Sequence, residues 1–279
     1  MIIPLLMFSW LMLAAVICFT ARTARNRRAD QQHIRELEAE LAKERDLSFE
    51  QRCEMAEKSL ALLELKESLE SEQQKSNQLL HNILPDRVIH DLQTKGKSEP
   101  EEFDQVSVFF SDIVGFTKCS TELDPCRLIE ELSAVFTEFD RIFKANGCER
   151  IKTIGDAYMA VSGLPVPDAD HCRHILRAAR QTREFLINRN RTAPLRWEMR
   201  MGVHSGKVVG GIVGREKYIY DVFGDTVNTA ARMEQLSEPM QINVSQAVRD
   251  LAFDDEFHFS ARPPAPVKGK GIMQMYFLD

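Results

Sequence analysis

Residues 5–84 contain neither glycine nor proline. A compact domain reverses its chain every few residues, and reversals draw on those two residue types. The first 84 residues therefore do not fit an ordinary compact domain. All thirteen glycines lie at or after Gly96. The 279-residue chain thus divides into a turnless N-terminal part and a turn-rich remainder long enough to bury a core. The formal net charge of −6 gives no basic excess, which argues against a nucleic-acid partner. Six cysteines, at 18, 53, 119, 126, 148 and 172, form no CxxC pair and no metal-ligand spacing. They read as reduced thiols in a cytosolic compartment.

Met1–Thr20 carries no charged residue. Twenty helical residues span about 30 Å, the thickness of a bilayer core. No positive segment precedes the run, which favours an uncleaved anchor over a cleaved signal peptide. Arg22, Arg25, Arg27 and Arg28 follow before the first acid, Asp30. The positive-inside rule then places the rest of the chain in the cytoplasm, as a single-pass membrane protein.

The segment to residue 84 reads as one long helix. Counting sevens from Ile34 meets Leu41, Met55, Leu62, Leu69 and Ile83, with Ser48 and Ser76 as the polar exceptions. The companion positions are apolar only at Leu37, Leu65 and Leu79. This register predicts a parallel two-stranded coiled coil with a polar middle; a solvated single helix is the alternative. Pro85 interrupts it. A short amphipathic helix bearing Val88, Ile89 and Leu92 should follow, then a polar linker. The expected divisions are an anchor at 1–20, a coiled-coil helix at 21–84, a short helix and linker at 85–102, and a globular domain at 103–279.

From Phe103 the texture is that of a mixed domain. Val106, Val108 and Phe110 alternate as in a half-buried strand. Leu128, Leu132, Val135, Phe136, Phe139, Ile142 and Phe143 have helical spacing, with Gly147 just past the end. Two apolar runs flank Gly155-Asp156 as in a hairpin. A helix over 168–190, two strands in WEMRMGVHSG and KVVGGIVG, and a helix in TVNTAARMEQL follow. Strand, helix, hairpin, helix, strand is the order of a ferredoxin-like α+β core.

Asp112 ends an apolar strand and Asp156 sits at the hairpin tip, at strand ends that should adjoin. Each alone fits a turn cap; together they suit a hard cation such as Mg²⁺ or Mn²⁺. The segment Ile113–Thr117, with Gly115, Phe116 and Thr117, would offer backbone N–H groups to phosphate. Asn228 and Arg232, four apart, share a helix face. Lys268 and Lys270 lie on a glycine turn. His204 reads as strand-end structure.

FFSDIVGFT, ERIKTIGDAYMAVSGLP, MRMGVHSGKVVGGIVG, YDVFGDTVNTAARM and VKGKG occur in an order and spacing that resemble the class III nucleotidyl cyclases. The resemblance covers about residues 101–279, and LLHNILPDRVIHDL looks like the signalling helix that precedes many such domains. It implies two divalent cations held by Asp112, Asp156 and the Ile113 carbonyl. It implies that Asn228 orients the ribose, that Arg232 is the transition-state arginine and that Arg200 and Lys268 contact the triphosphate. Lys152 and Asp221 match the pair that reads the purine. Adenine offers an acceptor at N1 and a donor at N6, which suit Lys152 and Asp221. Guanine reverses that pattern, and related guanylyl cyclases carry Glu and usually Cys there. ATP is therefore the expected substrate and cyclic AMP the product; a guanylate cyclase, or a non-catalytic nucleotide-binding module, is the alternative. The family's sites lie between two domains packed head to tail, so a homodimer is expected, with Asp112, Asp156 and Arg200 from one copy and Lys152, Asp221, Asn228, Arg232 and Lys268 from the other.

Overall fold

The computed structural model describes residues 3–81, 83–214, 218–252 and 256–279, with side chains only in part over 3–30. The chain divides into two units, Met1–Asn77 and Gln78–Asp279. In the first, helix α1 (Ile3–His81) runs without a break, as its lack of glycine and proline predicts. The side chains of residues 31–76 are all exposed, including Ile34, Leu41, Met55, Leu62 and Leu69 of the heptad register.

The expected membrane span finds no support. Among the described residues no helix is long and apolar enough to cross a membrane. Residues 1 and 2, and the side chains of 3–11, 13 and 14, lie outside the described residues, so much of the expected anchor falls there.

The second unit begins with helix α2 (Asp86–Lys95), which starts at Pro85 and ends at Gly96 in the left-handed region, φ 71°. Strand β1 (Glu101–Ile113), helix α3 (Phe116–Glu122) and helix α4 (Pro125–Ala145) follow. Asp124 caps α4 by accepting from the Arg127 N–H at 3.0 Å, with Pro125 at the first helical position. Next come the hairpin β2 (Glu149–Ile154) and β3 (Ala157–Ser162), helix α5 (His171–Thr192) and strand β4 (Met199–Val213). Strand β5 (Ile219–Phe223) leads into helix α6 (Asp225–Gln235). Strand β6 (Ile242–Ser245), helix α7 (Gln246–Leu251), β7 (Phe259–Ala261), β8 (Ala265–Val267), β9 (Gly271–Met273) and β10 (Met275–Leu278) complete it.

The main sheet has the order β2-β3-β1-β4-β6-β10-β7, with β5 paired to β4. Its β2-β3-β1-β4 half is the expected ferredoxin-like arrangement, all antiparallel. β4 and β6 pair in parallel.

Two apolar layers cover the sheet. On one face Phe109, Ile113, Trp197 and Met201 pack with Phe139, Phe143, Ile175 and Leu186 of α4 and α5. On the other, Val106, Val108, Phe110 and Val208 meet Val88 and Ile89 of α2 and Ala230 of α6. β1 is thus buried on both faces between Val106 and Ser111, not half-buried as its alternation suggested. Leu84 and α2 belong to this core, so the compact unit begins before the expected boundary at 103. The two strands read around Gly206 are one continuous strand, β4.

Candidate functional site

β1 sits centrally, with Ser111 opposite Tyr158 of β3 and Asp112 opposite Arg200 of β4. The β2–β3 turn brings Asp156 back to the same end, with Gly155 supplying the positive φ of 64° that the turn requires. Burial first, and then the charge of Asp112, raises the Asp156 carboxyl above its ordinary range, while backbone N–H groups of Asp156 and Ile113 act in the opposite direction. Arg200 bridges two acids: its Nη2 donates to Asp112 Oδ2 at 2.7 Å and its Nε to Glu234 Oε1 at 3.1 Å. Burial, followed by the Asp112 charge, pushes Glu234 up to about 7.

Glu234 was not singled out from the sequence. The available signal is a carboxylate on the inward face of α6, beside Ala230 and Met233, where an unpaired charge would be costly.

Beyond β1, the Val114 N–H donates to the Glu198 carbonyl at 2.9 Å and Gly115 turns the chain at φ 71° into α3. Gly115 and Thr117 are exposed. The first N–H groups of a helix have no partner within it. Phe116 instead turns its ring inward, 6.5 Å from that of Trp197. Its expected contribution to substrate binding is therefore limited to its backbone.

A second group gathers around a cleft of 340 Å³ whose lining includes Phe110, Lys152, Val222, Gly224, Asn228 and Ala231. Lys152 Nζ donates to Asp221 Oδ2 at 2.5 Å, and Asp221 Oδ1 accepts from the Val222 N–H at 2.8 Å. Asn228 is exposed on this side of α6. Arg232, one turn on, donates to Gln235 Oε1 at 2.5 Å. Lys268 is exposed on the β8–β9 turn, whereas its neighbour Lys270 is paired with Asp225. The structure thus collects Asp112, Ile113, Asp156 and Arg200 at one place and Lys152, Asp221 and Asn228 at another. Arg232 and Lys268 are not among the residues lining the cleft.

Two close carboxylates, one raised above its ordinary pKa by burial and by the charge of the other, form an oxygen-donor set that a hard divalent cation would satisfy. Among the described residues, no group of three or more His, Cys, Asp or Glu side chains is gathered for a metal ion. The donor set fits a cation only with a backbone carbonyl, such as that of Ile113, beside the two aspartates.

Paired aspartates at one end of the antiparallel β2-β3-β1-β4 core and a lysine–aspartate pair beside α6 are thus carried by one mixed α+β domain. The chain belongs to the adenylate and guanylate cyclase catalytic domain family, whose profile matches residues 98–279. It is 40% identical over 217 residues to guanylate cyclase D of Mus musculus, covering 76% of this chain and 19% of that protein. It is 33% identical over 241 residues to guanylate cyclase soluble subunit beta-2 of Rattus norvegicus, covering 85% and 35%. The chain spans between a fifth and about a third of the length of these relatives. Both aligned spans are longer than the matched catalytic segment and so extend into the helices before it.

Among solved structures, the catalytic core of a rhodopsin-guanylyl cyclase with converted specificity, in complex with ATPalphaS, is similar at TM-score 0.62 and 34% identity, covering 65% of this chain and 98% of that one. The adenylyl cyclase CyaB from P. aeruginosa is similar at TM-score 0.61 and 27% identity, covering 65% and 96%.

Proposed function

We propose that this chain is an adenylate cyclase, converting ATP to 3′,5′-cyclic AMP and pyrophosphate. The observation that carries the choice of ATP is the 2.5 Å Lys152–Asp221 pair in the cleft. Lys152 can donate to N1 of adenine while Asp221 accepts from its N6 amine. Guanine would set its N1–H against an ammonium and its O6 against a carboxylate, leaving both charges mispaired, which is strongly disfavoured where water is excluded.

In the reaction the ribose 3′-oxygen bonds to the α-phosphorus, the bond to the bridging oxygen of pyrophosphate breaks, and the 3′-hydroxyl proton leaves. Bound divalent cations would lower the pKa of that hydroxyl and neutralise the triphosphate. Asp112, Asp156 and the Ile113 carbonyl would hold them. Asn228 orients the ribose from α6. Arg232, four residues on, meets the charge that develops on the phosphoryl oxygens. Arg200 and Lys268 take the triphosphate, and the backbone N–H groups at Gly115, Phe116 and Thr117 line its path. No side chain needs to act as a sole base.

The two groups of residues support a site shared between two copies packed head to tail, each copy completing the other's half-sites. The apolar register of α1, exposed along a single chain, supports a parallel coiled coil that holds the copies together. The uncharged run at 1–20 followed by arginines supports attachment to a membrane with the catalytic domain in the cytoplasm.

A second reading takes GTP as substrate. The curated relatives compared above are guanylate cyclases, which favours it. Overall identity measures the shared scaffold, whereas base choice turns on the few side chains that meet the purine edge; the rhodopsin-guanylyl cyclase core with converted specificity carries an ATP analogue on a similar scaffold. Purified full-length protein assayed with Mn²⁺ and either ATP or GTP separates the readings. Dominant cyclic AMP is expected; dominant cyclic GMP would overturn the assignment, and no product from either would favour a nucleotide-binding module.

A further inference from the structure

Among the described residues β5 pairs with β4 only, so its position depends on what packs against its faces. It carries Asp221, whose carboxylate is tied to the strand by the Val222 N–H. Tyr220 and Val222 flank it, both buried in the layer that contains Val88 and Ile89 of α2.

The Tyr220 ring is seated on a glycine. A Cβ added at Gly210 would come within 2.5 Å of the Tyr220 hydroxyl, and within 3.3 Å of both Tyr220 Cζ and Phe103 Cε2. Gly211 makes the adjoining seat, where a Cβ would lie 3.2 Å from Pro100 Cα. Across from this floor, Val88 and Asp91 of α2 line the same small cavity as Tyr220. Arg87 secures the arrangement by donating to Glu101 at 3.1 Å and to the Pro165 carbonyl at 3.4 Å. Tyr220 is therefore enclosed between a side-chain-free stretch of β4 and the helix that leads into the domain. A displaced ring would shift β5, and with it the Asp221 carboxylate.

We infer that Tyr220 is a positioning residue for nucleotide choice: clamped between Gly210 and α2, it sets where β5 holds Asp221. Tyr220 itself touches no substrate. The inference rests on the reading of Asp221 as a base-recognition group.

The test uses the full chain and measures kcat/KM for ATP and for GTP. Gly210→Ala forces the tyrosine hydroxyl aside. It is expected to lower the ratio of preferred to disfavoured nucleotide by about tenfold, mainly through KM. Tyr220→Phe removes the atom that the new methyl strikes. Alone it should keep the ratio within about twofold, and in Gly210→Ala/Tyr220→Phe it should restore most of the loss. A merely destabilised sheet would lower kcat for both nucleotides together and would not be rescued. Should Gly210→Ala not fold, Tyr220→Leu removes the ring and is expected to lower the ratio likewise. Asp221→Ala, run in parallel, distinguishes the two ways to fail. If it changes the ratio and neither Gly210→Ala nor Tyr220→Leu does, the role of Tyr220 is overturned and the base reading stands. If Asp221→Ala leaves the ratio unchanged, the base reading falls and takes this inference with it.

Discussion

Lys152 of β2 and Asp221 of β5 meet at 2.5 Å although their strands are not neighbours in the sheet. The two strands flank the β3-β1-β4 core, so the sheet must curl to bring them together, as twisted sheets do. The contact sets one donor and one acceptor side by side, with Lys152 lining the cleft. Replacing the pair by Lys152→Glu and Asp221→Cys should cut kcat/KM for ATP by about 100-fold or more while leaving the thermal unfolding temperature nearly unchanged. Unaltered ATP turnover would remove the pair from base recognition.

Burial raises the Asp156 carboxyl, and repulsion from Asp112 adds to the effect. A carboxyl whose pKa is raised by folding stabilises the protein below its unfolded pKa, and that contribution is lost as pH rises through the folded value. Above the folded value, without metal, the ionised Asp156 is therefore destabilising. Asp156→Asn should raise the metal-free melting temperature and abolish the further rise that Mn²⁺ gives the wild type. Cyclase activity should fall by at least about 100-fold. Differential scanning fluorimetry with and without Mn²⁺ checks the first two, and product formation the third.

Arg232 lies on α6 one turn beyond Asn228 and donates to Gln235 at the helix surface. Arg232→Ala should lower kcat by about 10²–10³ with little change in KM. In the shared-site arrangement, Asp112→Ala and Arg232→Ala damage opposite halves. Mixed in equal amounts, two nearly inactive proteins should recover about a quarter of wild-type activity, because half the dimers then hold one intact site. No recovery after exchange of subunits would argue for sites complete within one chain.

His204 lies within β4 rather than at a strand end, with Nδ1 2.7 Å from Ser245 Oγ. Burial, with a smaller push from Lys270, depresses its imidazole to about 4, against the pull of Asp225. The unfolded chain takes up this proton near pH 6.5 and the fold resists it, so stability is full above 6.5 and falls toward pH 4. The loss attributable to this residue is up to about 3 kcal/mol. Urea midpoints of His204→Asn should be flatter than those of the wild type across that window.

Much of the architecture was legible from the sequence because it depends on local rules. The glycine-free stretch, the helix stop at Gly147 and the Gly155-Asp156 turn each specify backbone conformation within a few residues. Burial of β1 on both faces was not legible, since Ser107 and Ser111 hide the second apolar side of its pattern and bulky partners for Phe109 come from α4. The packing of α2 into the core depends on Phe103 and Tyr220, far along the chain. The site divides in the same way. Asp112 and Asp156 stood out as acids at the ends of apolar strands. The bridge from Arg200 to Glu234 is invisible until β4 and α6 lie side by side.

How closely they lie is set by positions that hold no side chain at all. A Cβ at Gly202 would fall 2.0 Å from the Glu234 nitrogen, and one at Gly206 would fall 2.7 Å from Thr226 Oγ1. Two flat places on one strand therefore fix the height at which α6 rides above the sheet, and with it the reach of Asn228 and Arg232. The reactive groups of this domain are aimed in part by omission. An inventory of the atoms that touch a nucleotide would miss residues whose whole contribution is the room they leave.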